Sequence, residues 1–321
     1  MNTMHRERVS ALLPLVSRTF ALSIRVLKQP LRGRIARAYL LCRLLDTFED
    51  DPELSVHEKK EALSSIIHFL EGGPLPELAL YIDAMKASQA EIDLVREAGA
   101  LLLSLKEMPE QAAGTIRKWA AVMGRGMILF LEKNEIQTVE ELEEYCYYVA
   151  GTVGLMLTAL FKQHCRLSSL RSAILDKYAV NFGLCLQFVN ILKDSGPDFQ
   201  EGRCFIPSSL IEEQGLTRDS FFKSGNRVAA SIVYGKLLQK ADAFVHDSET
   251  YIRALSGRHY KVRRFCILPL LLAKKTLKLL HTVKGDLPSA TSIPKISRSD
   301  IKRSLLASYP ASFSNAFFRL L

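Results

Sequence analysis

The chain has 321 residues, 48% of them hydrophobic and 24% charged, with 43 Lys and Arg against 34 Asp and Glu and a net charge of +9. That apolar fraction excludes a disordered chain, and 17 glycines with 12 prolines are too few for a collagen or a loop-rich sheet protein. Six cysteines without a C-x-x-C and seven histidines without an H-E-x-x-H argue against a disulfide scaffold and a zinc site, and leave ordinary buried thiols.

The positive charge is spread along the chain with no long basic run and a single tryptophan. This argues against nucleic acid and suits an anionic substrate or lipid headgroups. The apolar run Phe265–Ala273, nine residues between Arg263-Arg264 and Lys274-Lys275, falls far short of the roughly 20 needed to cross a bilayer. Ala11–Val16 lacks the apolar length and cleavage site of a secretory signal, so a cytoplasmic protein is expected.

Apolar residues recur at helical spacing nearly everywhere and alternating Val/Ile/Thr runs are almost absent, which predicts an all-α fold. Helices are predicted near residues 8–28, 32–50, 55–71, 76–86, 88–107, 110–133, 139–165, 170–195, 227–256 and 259–282. Ser55-Val56-His57-Glu58 and Thr138-Val139-Glu140-Glu141 read as capping boxes that open helices. Asp51-Pro52, Gly72-Gly73-Pro74 and Ser195-Gly196-Pro197 read as stops. No linker rich in Pro, Gly or Ser divides the chain and no fixed-period repeat appears. One large helical domain over 1–284 is therefore expected, with 285–321 as a tail packed on it and Gly285–Ser299 as the loosest stretch.

Two segments carry chemistry. In Tyr39–Asp51, helical spacing puts Asp46, Glu49 and Asp50 on one face and extends that stripe back through Arg43 to Tyr39. A solvated acidic helix end is the plain alternative, but acids in a last turn oppose the helix dipole. In Gln187–Asp198, Gln187, Asn190 and Asp194 share a stripe on a very apolar helix, where an uncompensated buried carboxylate costs several kcal/mol, roughly, unless something positive sits beside it. Two oxygen-rich stripes without nearby His or Cys have the ligand chemistry of a hard cation that bridges carboxylates to phosphate, with Mg²⁺ and a diphosphate the best fit. A buried Asn–Asp network capping neighbouring helices is the alternative. Ala150, Gly151 and Gly154 form a small-residue face, which costs helix propensity of about 1 kcal/mol per glycine and implies close approach by a ligand or by another helix.

These segments, in this order, resemble the squalene/phytoene synthase family of head-to-head isoprenyl diphosphate synthases. The resemblance is carried by Ser17-Arg18-Thr19-Phe20, by Asp46-Thr47-Phe48-Glu49-Asp50-Asp51, by Tyr145–Gly154, by Gln187–Asp198 with Gly202–Pro207, and by Phe265–Pro269. The D-T-F-E-D-D form and Phe265-Cys266-x-x-Pro269 place it nearest the squalene synthase branch. The family fold is a single all-α isoprenoid synthase domain with a central substrate channel.

By that resemblance Asp46, Glu49 and Asp50 are the first Mg²⁺-binding motif, and Asn190, Asp194 and Asp198 the second. Ser17, Arg18, Thr19, Phe20, Gln187 and Arg203 hold or flank substrate, and Val149, Gly151 and Val153 form channel wall. Tyr39, Arg43, Tyr145 and Phe265 join the acids as catalytic candidates, Phe265 offering its ring to a carbocation. Gly196-Pro197 is expected to end the helix before Asp198 and leave that acid on a loop. The implied reaction joins two farnesyl diphosphates into presqualene diphosphate and reduces this with NADPH to squalene. A non-reductive dehydrosqualene or phytoene synthase, or a presqualene diphosphate synthase, is the alternative.

Candidate NADPH phosphate contacts are Lys193, Lys295 and Arg298, with Arg18 and Arg43; Pro294-Lys295-Ile296-Ser297-Arg298 only loosely matches the family's basic segment, Ser297 replacing an Arg. The sequence runs to Leu321 without the membrane anchor of eukaryotic relatives. That favours a bacterial-type soluble or peripheral enzyme, touching the inner face of a membrane where an apolar product would leave; a monomer is expected, though not from this feature. A non-catalytic relative that binds a lipid or a protein is the competing class; its mark would be loss of the metal-binding residues, and all five acids and Asn190 are present.

Overall fold

The computed structural model describes residues 11–133, 135–223, 225–289 and 296–321, and among them there is no strand. The predicted all-α class is what the chain adopts. The chain forms two compact helical units: one of residues 1–132 and 155–166, the other of residues 133–154 and 167–321. No compositional linker marks the border, which falls inside the Thr152–His164 helix. No described helix is long and apolar enough to cross a membrane.

The first unit is built around the Leu31–Asp50 helix, which packs against Val56–Leu70 and Glu110–Leu131. Between Ala38 and Asp50 every residue is buried except Tyr39, Arg43, Asp46, Glu49 and Asp50. The polar stripe is thus the open face of this half of the helix, half-buried at Asp46 and Glu49 and exposed at Asp50. Asp51 ends the helix and is itself buried: its carboxylate accepts from the amides of Glu53, Leu54 and Lys86 at 2.9–3.1 Å, a structural cap. Ser55 and Glu58 form the expected capping box, and Gly72, at φ +106°, closes that helix by donating to Phe69.

Several expected boundaries move. The first predicted helix is broken at Ser17, whose extended backbone and side chain cap Arg18–Arg25. The predicted 76–86 helix is a 3₁₀ segment, Leu78–Ala84, and 88–107 is interrupted at Glu97 between Gln89–Arg96 and Ala98–Leu105. Thr138 caps Glu141 as expected, and the Glu141 carboxylate accepts from the Gln137 amide as well as from the Thr138 backbone.

In the second unit the long Ser169–Gln200 helix packs on Arg227–Ala254 and on a wide π-type turn, Tyr147–Gly151. The stop expected at Gly196-Pro197 does not occur; the helix runs through Pro197 to Gln200 and carries Asp198 with it. Gly196 has no Cβ to collide with the proline ring, so the usual bar on a helical residue before proline is weakened. Ser195 locks the turn by donating to the Leu192 carbonyl and sharing a 2.7 Å bond with the buried Tyr234 hydroxyl. Gly202, at φ +82°, is the true stop.

Residues 298–313 form a further helix, Arg298–Phe313, seated on Tyr260–Val283. The hydrophobic pattern missed it because its inward residues are Ser304, Ser308, Ala311 and Ser312.

The glycines at 151, 154 and 183 are explained by helix packing. A Cβ on Gly154 would collide with the Ala179 carbonyl, and one on Gly183 with the Ala150 carbonyl, so two backbones lie against each other there. Gly154→Leu is expected to destabilise the protein by about 1–3 kcal/mol through overpacking. Gly114→Ala, where a Cβ makes only ordinary contacts inside a helix, is expected to stabilise it by about 0.5–1 kcal/mol. Urea midpoints of the two variants should therefore move in opposite directions.

Candidate functional site

In the first unit, folding brings Ser17 and Phe20 onto the stripe of the Leu31–Asp50 helix. Ser17 hydrogen-bonds the Tyr39 hydroxyl, and the Phe20 ring lies 5.6 Å from that of Tyr39. Burial pushes the Tyr39 phenol up, opposed by the Ser17 bond and by Arg43. One turn on, Arg43 forms an ion pair with Glu91, a residue that the sequence did not single out. Glu91 divides its carboxylate between two tasks. One oxygen takes Arg43, and the other closes the capping box of its own helix by accepting from the Ser88 amide and hydroxyl at 2.8 and 2.6 Å. Its signal was the box itself, Ser88-x-x-Glu91.

Burial opposes the charge on both partners, yet the Arg43 pKa is raised because Asp46 and Glu91 outweigh it. The Glu91 carboxyl is lowered because the Ser88 bonds and Arg43 do the same. Asp46 is the strained member. Packing around its half-buried carboxyl, reinforced by the neighbouring Asp50 carboxylate and only partly offset by Arg43, pushes its pKa up to about 7. Glu49 shares the same helix end, its carbonyl accepting from the Lys59 ammonium at 2.9 Å. An acid that resists ionisation beside a second acid is a place where a cation is favoured.

In the second unit the stripe on Ser169–Gln200 is more open than its apolar sequence implied. Asn190 is exposed, and Gln187, Asp194 and Asp198 are half-buried. The argument from full burial therefore overstated the cost, and the positive partner exists. Lys193 pairs with Asp194 at 3.0 Å, and Arg203 reaches both Asp198 at 3.3 Å and Glu201 at 3.2 Å. The Arg203 amide also donates to the Asp198 carbonyl at 2.8 Å, which ties Asp198 to the helix end. Tyr145 is buried and stacked on Phe205 with centroids 4.9 Å apart. Val149 and Phe265 are buried and Val153 half-buried, while Gly151 abuts Val180 and Leu184. Arg298 is exposed in the first turn of its helix. Lys295 and the side chains of Arg18 and Thr19 lie outside the described residues.

Among the described residues no three His, Cys, Asp or Glu side chains converge into a metal cage. Each stripe instead presents oxygen ligands along one helix face, an arrangement that suits Mg²⁺, which takes one or two protein carboxylates and fills its shell with water and phosphate.

Because the Asp46 pKa is higher folded than unfolded, the native chain holds this proton more tightly. Its ionisation thus subtracts stability progressively as pH rises from about 4 to about 7. In metal-free buffer, Asp46→Asn should raise stability at pH 8 relative to wild type by on the order of 1–2 kcal/mol, a discounted figure for a half-buried group, with no gain near pH 4. Urea unfolding of both proteins across that range measures it.

A family model described as squalene/phytoene synthase matches residues 13–300. Human squalene synthase is 29% identical over 282 residues, which are 87% of this chain and 64% of that protein, so the match spans under two thirds of the relative's length. A solved complex of TcSQS with the ligand E5700 has a TM-score of 0.83 and 26% identity, covering 96% of this chain and 87% of that one. A solved dehydrosqualene synthase shares the fold at a TM-score of 0.69 and 19% identity, covering 96% of each chain. The matched span contains every motif on which the resemblance rested and extends over nearly the whole sequence: the chain belongs to the squalene/phytoene synthase family.

Proposed function

We propose that this protein joins two farnesyl diphosphates head to head into presqualene diphosphate and carries it on to squalene with NADPH. The observation that carries the condensation is the stripe from Tyr39 to Asp50, the open face of that half of its helix, with Asp46 held up to about 7 by burial and Asp50. Such a carboxylate pair gains most from a divalent ion shared with an anionic substrate. In this reading Asp46, Glu49 and Asp50 hold Mg²⁺, as do Asn190, Asp194 and Asp198. Bound Mg²⁺ supplies Lewis-acid neutralisation of the leaving diphosphate.

The chain's own groups do the rest. Arg43 keeps its charge through Glu91 and has further N–H donors for phosphate oxygens. The hydroxyls of Ser17 and Tyr39, already bonded to each other, orient the leaving group. Buried Tyr145 and Phe265 give aromatic surface to an allylic cation and keep water away from it.

The reductive step rests on the squalene synthase relatives. Of the candidate phosphate contacts, Arg43 and Lys193 are ion-paired with Glu91 and Asp194, and only Arg298 is described as exposed. No step is therefore assigned to them.

Incubation with farnesyl diphosphate and Mg²⁺, with and without NADPH, is expected to yield squalene only in the tube with NADPH. Dehydrosqualene in both tubes, or presqualene diphosphate alone, would limit the activity to condensation, and no prenyl product would support the non-catalytic alternative. Asp46→Asn is expected to lower kcat/KM at least ~100-fold while the fold persists. Glu91→Gln, which keeps the shape but not the charge, is expected to lower it ~10-fold, chiefly in KM for the diphosphate. Steady-state kinetics alongside thermal melts separates these effects from unfolding.

A further inference from the structure

The Arg298–Phe313 helix turns small residues toward the core and several large ones away from it. Its inward residues are Ser304, Ser308, Ala311 and Ser312, and Ser308 and Ser312 are wholly inaccessible. Ile301 and Leu305 are half-buried, but Leu306 is 75% exposed, with Tyr309 and Phe313 three and seven positions on along the same face, and Phe313 also stacks on Tyr260 at 4.7 Å. Phe317 and Leu320, 54% and 80% exposed, add apolar surface beyond the helix.

The helix cannot turn over to bury these groups. Arg264 donates to Ser308 Oγ and to the Leu305 carbonyl, both at 3.1 Å, and Lys275 bonds the Asp300 carbonyl at 3.2 Å and carboxylate at 3.1 Å. Beyond the helix, Arg263 donates to Asn315 Oδ1 at 2.6 Å. Gly257 lies so close under the Phe313 carbonyl that any Cβ would collide with it. Buried Ser308 and Ser312 donate to the carbonyls three residues back, which satisfies both hydroxyls where they stand.

The charge around this face has one sign. Residues 296–321 contain Arg298, Lys302, Arg303 and Arg319 against a single acid, Asp300, which Lys275 already neutralises. Lys302, Arg303 and Arg319 are exposed beside the apolar groups. Together these groups offer Leu and Phe for acyl chains, Tyr for the headgroup level and Lys/Arg for lipid phosphates.

We propose that the outer face of Arg298–Phe313, with Phe317 and Leu320, docks on the surface of an anionic lipid bilayer. A second protein would bring acids or an apolar surface of its own, but the one-signed rim matches a sheet of negative headgroups, which a like-charged second copy of this chain does not. The docking stands independently of the reaction proposed above, and its test requires no turnover.

Co-sedimentation with vesicles of phosphatidylcholine containing about one third phosphatidylglycerol, against pure phosphatidylcholine, reads it directly. Binding is expected to the anionic vesicles only and to weaken steeply between 50 and about 300 mM salt. Lys302→Glu with Arg303→Glu should cut the partition coefficient at least ~25-fold, about fivefold or more per charge. Leu306→Ser with Leu320→Ser should cut it ~10-fold or more at unchanged melting temperature, because both groups are exposed. Three results would each overturn the assignment: no binding to anionic vesicles at 50 mM salt, binding that these variants leave intact, or concentration-dependent dimers that Leu306→Ser and Leu320→Ser abolish.

Discussion

Carboxylates pressed against a hydrocarbon core are the constraint on which the first unit depends. Asp46 sits on a helix whose other faces are filled by leucines and Phe48, so water cannot fully solvate its charge, and Asp50 one turn away makes ionisation harder still. Such an arrangement weakens the ligand-free protein once Asp46 ionises, and a proton or a bound cation would relieve it. Arg43 does not remove the strain, because its charge is shared with Glu91, and Glu91 is held by the capping box of another helix. The architecture supplies a fixed positive charge next to a deficit of positive charge, the electrostatic form a diphosphate with its counterions would fit.

The second unit reaches a related composition by another route. Its stripe lies on a 32-residue helix that carries Gly196-Pro197 without ending. Continuity depends on a missing Cβ before the ring and on the Ser195–Tyr234 bond. Asp194 and Asp198 each have a basic partner within a few residues, Lys193 and Arg203. These acids are therefore satisfied locally, whereas Asp46 is not, and a ligand that displaced Lys193 or Arg203 would have to replace a partly solvated ion pair of modest strength. The close packing at Gly154 and Gly183 keeps this helix tightly seated against the turn that holds Val149, which follows directly on the helix that carries Tyr145, so these candidates inherit their positions from backbone contact.

The outward-facing Leu306, Tyr309 and Phe313 show the limit of reading burial from hydrophobicity. Serines can occupy an interior helix face when each hydroxyl returns its hydrogen bond to the helix backbone, and their small volume lets two helices approach closely. The large residues are then free for a different solvent from water. A periodic apolar stripe reports that a helix has a preferred side without saying which neighbour that side meets.

Much of the protein was legible in its sequence because the relevant physics is local. Helical periodicity, the Ser55–Glu58 box, the Asp51 and Gly72 stops and the grouping of Tyr39, Arg43, Asp46 and Asp50 on one face all follow from 3.6 residues per turn and from backbone groups within a few positions. What required the tertiary structure was every feature set by a partner distant in the chain. Glu91 as the counter-ion of Arg43, Tyr234 as the lock beneath Pro197, the carbonyls that exclude a side chain at Gly154, and the inward serines of the Arg298–Phe313 helix belong to this group. Spacing along one helix determines which side chains share a face. Only the packing of that face against others determines whether it meets hydrocarbon, charge or open solvent, and so how each group behaves.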